Sequence, residues 1–365
     1  MNKINYFFIF ITILISSCNH NNKNFNNKEF KKSFSVNGKV ILDNNVNISK
    51  FFIVDTLLLA KLEGDDYHYI VFNSKTLNPL GKLAKKGKGP NEFPDVLQYE
   101  HHIAKNNQLK IWVYGWNTHK IYLINISNSI KNQNTIIDTV LKLAPQIKFN
   151  FLFVTDNYKV IGNTINTTTD MKRLLIYDIE KNKIIKEVNP FPKIENNNED
   201  ITFIFYKYNW LFLSSLASNP NFTKFASAML YFNRIDIFDK NGNIINSYEG
   251  KNNITKTEID GFFSTEIGNY ANIKKYYSGT TSSGNFIYTI YYNKKASKSA
   301  ESLPVKIRIF NWNAELVCEL NIPNHLTSIA IDEKNGIMYG VAFFDEKILK
   351  YDISSILDEI KTDSK

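Results

Sequence analysis

Residues 69–93 read YIVFNSKTLNPLGKLAKKGKGPNEF. A strand-like run ends in Phe72-Asn73, a polar turn follows, a second strand-like run comes next, and Gly89-Pro90 makes a corner. The first half of this pattern recurs down the chain. An apolar or aromatic residue followed by Asn or Asp closes a strand-like run at Phe72-Asn73, Ile124-Asn125, Tyr177-Asp178, Phe238-Asp239, Phe310-Asn311 and Tyr351-Asp352. Successive anchors are 52, 53, 61, 72 and 41 residues apart. Spacing of this kind is the signature of a repeat architecture.

Each repeat reads as a hairpin. The Asn or Asp leaves the strand and hydrogen-bonds its own backbone to start a turn. Asn241-Gly242 is the strongest such turn, since both residue types tolerate positive φ. One hairpin cannot bury its apolar face alone, whereas radially packed four-stranded sheets can. The expectation is an all-β chain folded as one six-bladed β-propeller over residues 34–353. The last repeat supplies three strands, at Thr327–Asp332, Ile337–Phe343 and Ile348–Ile353, before the polar tail 354–365. Phe34–Leu42 is expected to supply the missing fourth strand and so close the ring, which removes free edges.

Composition agrees with strands: 27 Phe and 20 Tyr suit pleated, half-buried surfaces. The net charge of +9 comes from Lys spread along the whole chain. No basic stripe with interleaved aromatics stands out, so nucleic acid is not an expected partner. Of the two cysteines, Cys318 lies in an apolar run and reads as a small buried hydrophobe. No disulfide framework is available.

Lys3 and the apolar run Ile4–Ile15 form a targeting segment too short to span a bilayer. It ends in Leu14-Ile15-Ser16-Ser17-Cys18, which resembles a bacterial lipobox. The resemblance implies cleavage after residue 17 and acylation of Cys18. Several acyl chains on one residue anchor stably. Residues 18–33, rich in Asn and Lys, then read as the lipidated cysteine and a flexible tether.

Several stretches, in order, are similar to the six-bladed, TolB-like β-propeller lipoproteins of Gram-negative bacteria. They are LGKLAKKGKGPNEF from Leu80, IWVYGWNTHKIYLI from Ile111, NPNFTKFASAMLYFNRIDIFD from Asn219, NFIYTIY from Asn285 with IRIFNWNAELV from Ile307, and SIAIDEKNGIMYGVA from Ser328. Gly115 and Ala314 depart from that pattern, standing where Asp and Gly are common. The resemblance covers roughly residues 35–353 and implies no catalytic residues.

Residues that carry chemistry are sparse. Gly81–Gly89 fails as a phosphate loop, because five residues separate Gly81 from Gly87-Lys88 and Gly89 stands where Ser or Thr must be. Its lysines, with Lys86 and Lys88 foremost, sit at a rim and suit an anionic ligand. His101-His102 point to opposite faces of a strand and do not chelate one metal together. His20, His68, His119 and His325 are isolated. Asp65-Asp66, Glu199-Asp200 and Asp345-Glu346 lie in turn-like sequence, whereas a glycosidase needs two carboxylates across a cleft. Trp112 and Trp312 read as core. Trp116 and Trp210 are candidates for stacking on a sugar or peptide.

The sequence therefore describes a cell-envelope lipoprotein, held to a membrane, expected to be the outer one, through Cys18. Its propeller acts as a binding or scaffold module for a protein, peptide or glycan, with no cofactor or metal. The alternative is an envelope hydrolase or lyase working at the central face.

Overall fold

Leu57–Leu62 is buried at nearly every position, as expected of a strand with sheet on both sides. Its antiparallel partners are Ile48–Val54 and Tyr67–Asn73, and Pro79–Lys85 completes a four-stranded meander. The computed structural model, which describes residues 32–43, 47–96, 101–105, 108–155, 158–164, 173–188, 210–264, 272–295 and 304–363, repeats this unit around a ring. The signal peptide, Cys18, almost all of the tether, His20 and Glu199-Asp200 lie outside the described residues.

Blade two comprises His102–Lys105, Gln108–Gly115, Lys120–Asn125 and Ile137–Lys142. Blade three comprises Phe149–Val154, Lys159–Thr164, Leu174–Asp178 and Lys183–Val188. Blade four runs Ser214–Ser218, Lys224–Met229, Arg234–Asp239 and Ile244–Glu249. Blade five runs Lys274–Ser282, Phe286–Lys295, Val305–Asn311 and Leu316–Ile322. Ser328–Asp332, Ile337–Ala342 and Lys347–Asp352 form the inner three strands of blade six.

The core is divided among the blades. Six clusters of buried apolar residues each join two neighbouring blades. Between blades six and one, for example, Tyr339, Val341 and Ile348 pack on Phe51, Leu58 and Phe72. The Tyr339 hydroxyl also donates to the Ser74 carbonyl at 2.9 Å across that seam.

Every anchor dipeptide of the repeat falls at the end of a third strand. The turn chemistry is as read: Asn73, Asp178, Asp239 and Asn311 accept backbone N–H groups of the turn that follows. Asn125 instead caps the short helix Ile126–Asn132, and Asp352 accepts from Ser354 N–H. At Asn241-Gly242 only Gly242 takes positive φ, +72°. Ala314, at the turn position where glycine is common, is held at φ +58° with its methyl fully buried.

Two details differ from the sequence reading. Phe34–Leu42 is not one strand. Ser33–Ser35 lies parallel to Leu316–Ile322 as a fifth strand of blade five, and Lys39–Asp43 pairs antiparallel with Lys347–Asp352. Gly38 sits at the crossing between them, where a Cβ would collide with the Tyr351 ring. The segment after Ile353, read as a polar tail, is a helix, Ser354–Asp363. Ile356, Leu357 and Ile360 share its buried face and join the cluster between blades five and six. Lys32–Glu359 at 2.7 Å and Lys361–Glu333 at 3.0 Å flank it.

Candidate functional site

The Gly- and Lys-rich corner is held from within. Glu92 accepts the Gly89 N–H at 2.9 Å and pairs with Lys85 Nζ at 2.9 Å. Those bonds, Lys85's first, hold its carboxyl below the usual range. A Cβ at Gly87, whose φ is +152°, would strike the Glu92 carboxylate, so glycine is required there. Phe93 is fully buried, and its carbonyl takes a hydrogen bond from His68 Nε2 at 2.9 Å. Lys82 is likewise paired, with Asp65 at 2.8 Å.

Strand directions alternate, so turns after first and third strands lie on one face of the ring. Turns after second strands, and blade-to-blade crossings, lie on the other. Lys86, Lys88, Trp116 and Trp210 all belong to that second face. The Asn117 N–H donates to Asp95 Oδ2 at 2.8 Å, which brings the Trp116 turn against the corner carrying Lys86 and Lys88. Trp116 is half-buried, with Lys148 Nζ 4.2 Å from its ring centroid. Trp210 is 39% exposed at the approach to blade four, with blade three between it and the corner. Trp112 and Trp312 are core residues.

A cavity among the described residues lies elsewhere, toward the face of the first turns. Its volume is about 90 Å³. Its apolar wall is Phe52 and Ile53 of blade one, Pro220 and Phe222 of blade four and Ile331 of blade six. Its polar wall is His102, Ser218, Asn219, Thr281 and Ser282. Phe222, at φ +54° in the first turn of blade four, reaches across the ring to His101, with ring centroids 4.2 Å apart.

The two adjacent histidines part company, as strand geometry requires. His101 is buried and accepts the Val154 N–H on Nδ1 at 3.0 Å. Burial, and then the neighbouring His102, push it down to about 3. His102 faces the cavity. Burial lowers it too, against the pull of Asp55. Its Nδ1 is buried and has no hydrogen-bond partner among the described residues. Both rings are therefore neutral at physiological pH.

Charge is concentrated between blades three and four. Arg173 and Arg234 converge on Asp236, whose side chain is fully buried; Arg234 Nε lies 2.9 Å from Oδ1. Burial alone would raise this carboxyl, but the two guanidinium charges, with bonds from Arg234 and Ser247, outweigh it and hold the group at about 2. Arg173 also donates to Ser227 at 3.1 Å. Arg173 thus ties blade three to blade four through its two terminal nitrogens, while its Nε is buried without a hydrogen-bond partner among the described residues. Within blade five Arg308 bonds Glu319 at 2.7 Å and stacks 3.4 Å from the Tyr291 centroid, and it reaches blade four by donating to Asn233 Oδ1 at 3.3 Å. Burial pushes the Cys318 thiol up to about 12, which leaves it a packing residue. Among the described residues no three His, Cys, Asp or Glu side chains are grouped to hold a metal.

Sequence reasoning did not find the cavity. In sequence His102 reads as one of two histidines on opposite faces of a strand, and Phe222 stands inside the stretch from Asn219 to Asp239. Their approach depends on ring geometry, for which no local pattern gives a signal.

No protein-family profile matches the chain, and no curated protein matches it. Solved structures do. A member of the DUF4221 family from Bacteroides vulgatus aligns at TM-score 0.57 and 12% identity, over 88% of this chain and 96% of that one. A protein assigned as exported in Bacteroides fragilis aligns at TM-score 0.55 and 11% identity, over 87% of this chain and 98% of that one. At these identities the likeness is one of fold: this chain is a six-bladed β-propeller.

Proposed function

We propose that the chain is an envelope lipoprotein of TolB-like type, anchored through acylated Cys18, whose propeller binds a ligand or serves as a scaffold. The observation that carries the binding reading is the cavity where blades one, two, four, five and six converge. Its wall offers aromatic rings, hydroxyls and one imidazole, a lining suited to holding a molecule. A hydrolase of glycans would place two carboxylates across such a cleft, and the residues named in this wall supply none. The apolar run Ile4–Ile15 ahead of Ser16-Ser17-Cys18, and the exported character assigned to a protein of like fold, support the envelope location. Pairing of Lys39–Asp43 with Lys347–Asp352 supports closure of the ring by the two ends of the described chain.

The anchor is tested by labelling expressing cells with palmitate and fractionating them. Label and outer-membrane sedimentation are both expected, and both should vanish in Cys18→Ser. An unlabelled wild-type chain overturns the anchor. Protease shaving of intact cells reads the side of the membrane. Binding is tested by titrating the full chain in detergent with envelope glycan and peptide fractions, where cleavage of either fraction would favour the hydrolase reading.

A further inference from the structure

The chemistry of the cavity wall narrows its ligand. We infer that the central cavity takes an uncharged sugar ring, the end of a neutral glycan or a free neutral monosaccharide; this rests on the binding-module reading above. Four observations point there.

The first is charge. Among the described residues no Asp, Glu, Lys or Arg is part of the cavity wall, the carboxylate that acts on His102, Asp55, lies outside that wall, and His102 is neutral. A buried anionic ligand would lack a counter-charge, which costs several kcal/mol. Uronic acids and other carboxylate-bearing ligands are disfavoured.

The second is the unpaired imidazole. His102 Nδ1 is buried without a partner, and a buried polar group in that state calls for one. A purely apolar ligand would leave it unmet. A sugar hydroxyl both donates and accepts, so it satisfies either tautomer.

The third observation separates a sugar from a peptide. Reading a peptide group takes a paired donor and acceptor, and Asn219 is the side-chain amide in the wall. Its acceptor is used up: Oδ1 accepts the Thr223 and Lys224 N–H groups, at 2.8 and 2.9 Å, and Nδ2 donates one of its two N–H groups to Thr223 Oγ1 at 2.9 Å, so the side chain cannot offer a donor and an acceptor together. Ser282 donates to the Ser218 carbonyl at 2.6 Å. His102 and Thr281 remain as partners suited to hydroxyls, beside the rings of Phe52 and Phe222, which suit the C–H face of a pyranose.

The fourth is size. At roughly 15 Å³ per water, about 90 Å³ holds on the order of six water-sized groups. That admits much of one ring within the walls and leaves any second sugar outside them. Phe222 is held in place by its turn, where its N–H donates to Asn219 O at 3.0 Å, so the wall is formed before ligand arrives.

The test is calorimetric and saturation-transfer NMR titration of the full chain in detergent with the methyl glycosides of glucose, galactose, mannose and N-acetylglucosamine. Glucuronate and the neutral peptide amide N-acetyl-alanyl-alanine methylamide serve as comparators. At least one neutral glycoside is expected to bind, with glucuronate about tenfold weaker or worse, the equivalent of one lost 1.4 kcal/mol interaction. Thr281→Val, which keeps shape and removes the hydroxyl, should weaken that glycoside severalfold at unchanged melting temperature. Phe222→Ala should abolish binding. The inference is overturned if no neutral glycoside binds, if glucuronate binds as well as the best of them, if Thr281→Val binds normally, or if the peptide amide binds in their place. Failure here with palmitate labelling and envelope-fraction binding intact removes the sugar and leaves the anchored binding module standing.

Discussion

Asp236 answers two buried arginines, Arg173 and Arg234. Asp236→Asn would leave their charge uncompensated, and a pair broken from one side costs about 3–5 kcal/mol. Urea denaturation should read a loss of that order. Depressed in the fold to about 2, the carboxyl contributes stability that is present above its unfolded value near 3.8 and lost as pH falls through 2. His101 acts at higher pH. Lowered from 6.5 to about 3 in the fold, it binds its proton more readily when unfolded. Its contribution is complete above pH 6.5 and declines as pH drops toward 3. The stability profile should therefore begin to fall below pH 6.5 and steepen below 4. His101→Gln should flatten the upper limb, and a wild-type profile level from pH 7 to 4 would refute the assignment. Neither partnership was legible in sequence. Arg173 and Asp236 stand 63 positions apart on different blades, and no local spacing links them.

The third-strand ends, by contrast, were legible down to the residue. An Asn or Asp there acts on its own next few N–H groups, so its effect is written in adjacent sequence. Asp239→Ala removes the acceptor for Asn241 and Asn243 N–H and for the Asn243 amide. At about 1 kcal/mol per bond, tempered by water replacing some of them, the expected loss is roughly 1–2 kcal/mol. The helix Ser354–Asp363 was not legible, because three apolar residues within a charged dozen give too faint a helical period. Its burial is still consequential. Leu357 is 1% exposed, and Leu357→Ala should cost about 2–4 kcal/mol by equilibrium unfolding. A change under about 0.5 kcal/mol, the size of an ordinary surface substitution, would mean that the helix does not pack in solution.

At the scale of the whole molecule the repeat count gave the blade count, since each repeat carries the third strand of one sheet. The seams between blades, and the cavity, arise only when the sheets meet and could not be read from any one of them. Deleting residues 34–42 removes Val36 and Ile41 from two seams and bares the edges of blades five and six. A loss on the order of 3 kcal/mol is expected from the apolar burial alone, and unchanged melting would mean that the ring does not need this segment. The same pairing sets an order of events. Ser33 and Asn321, bonded to one another, are 288 positions apart. The earliest described residues to leave the ribosome are thus among the last to find partners. Five blades can form while Val40 and Leu42 wait on an unpaired strand, and contacts this distant in sequence form slowly. A holding factor acting on the nascent chain would find its target in that waiting strand.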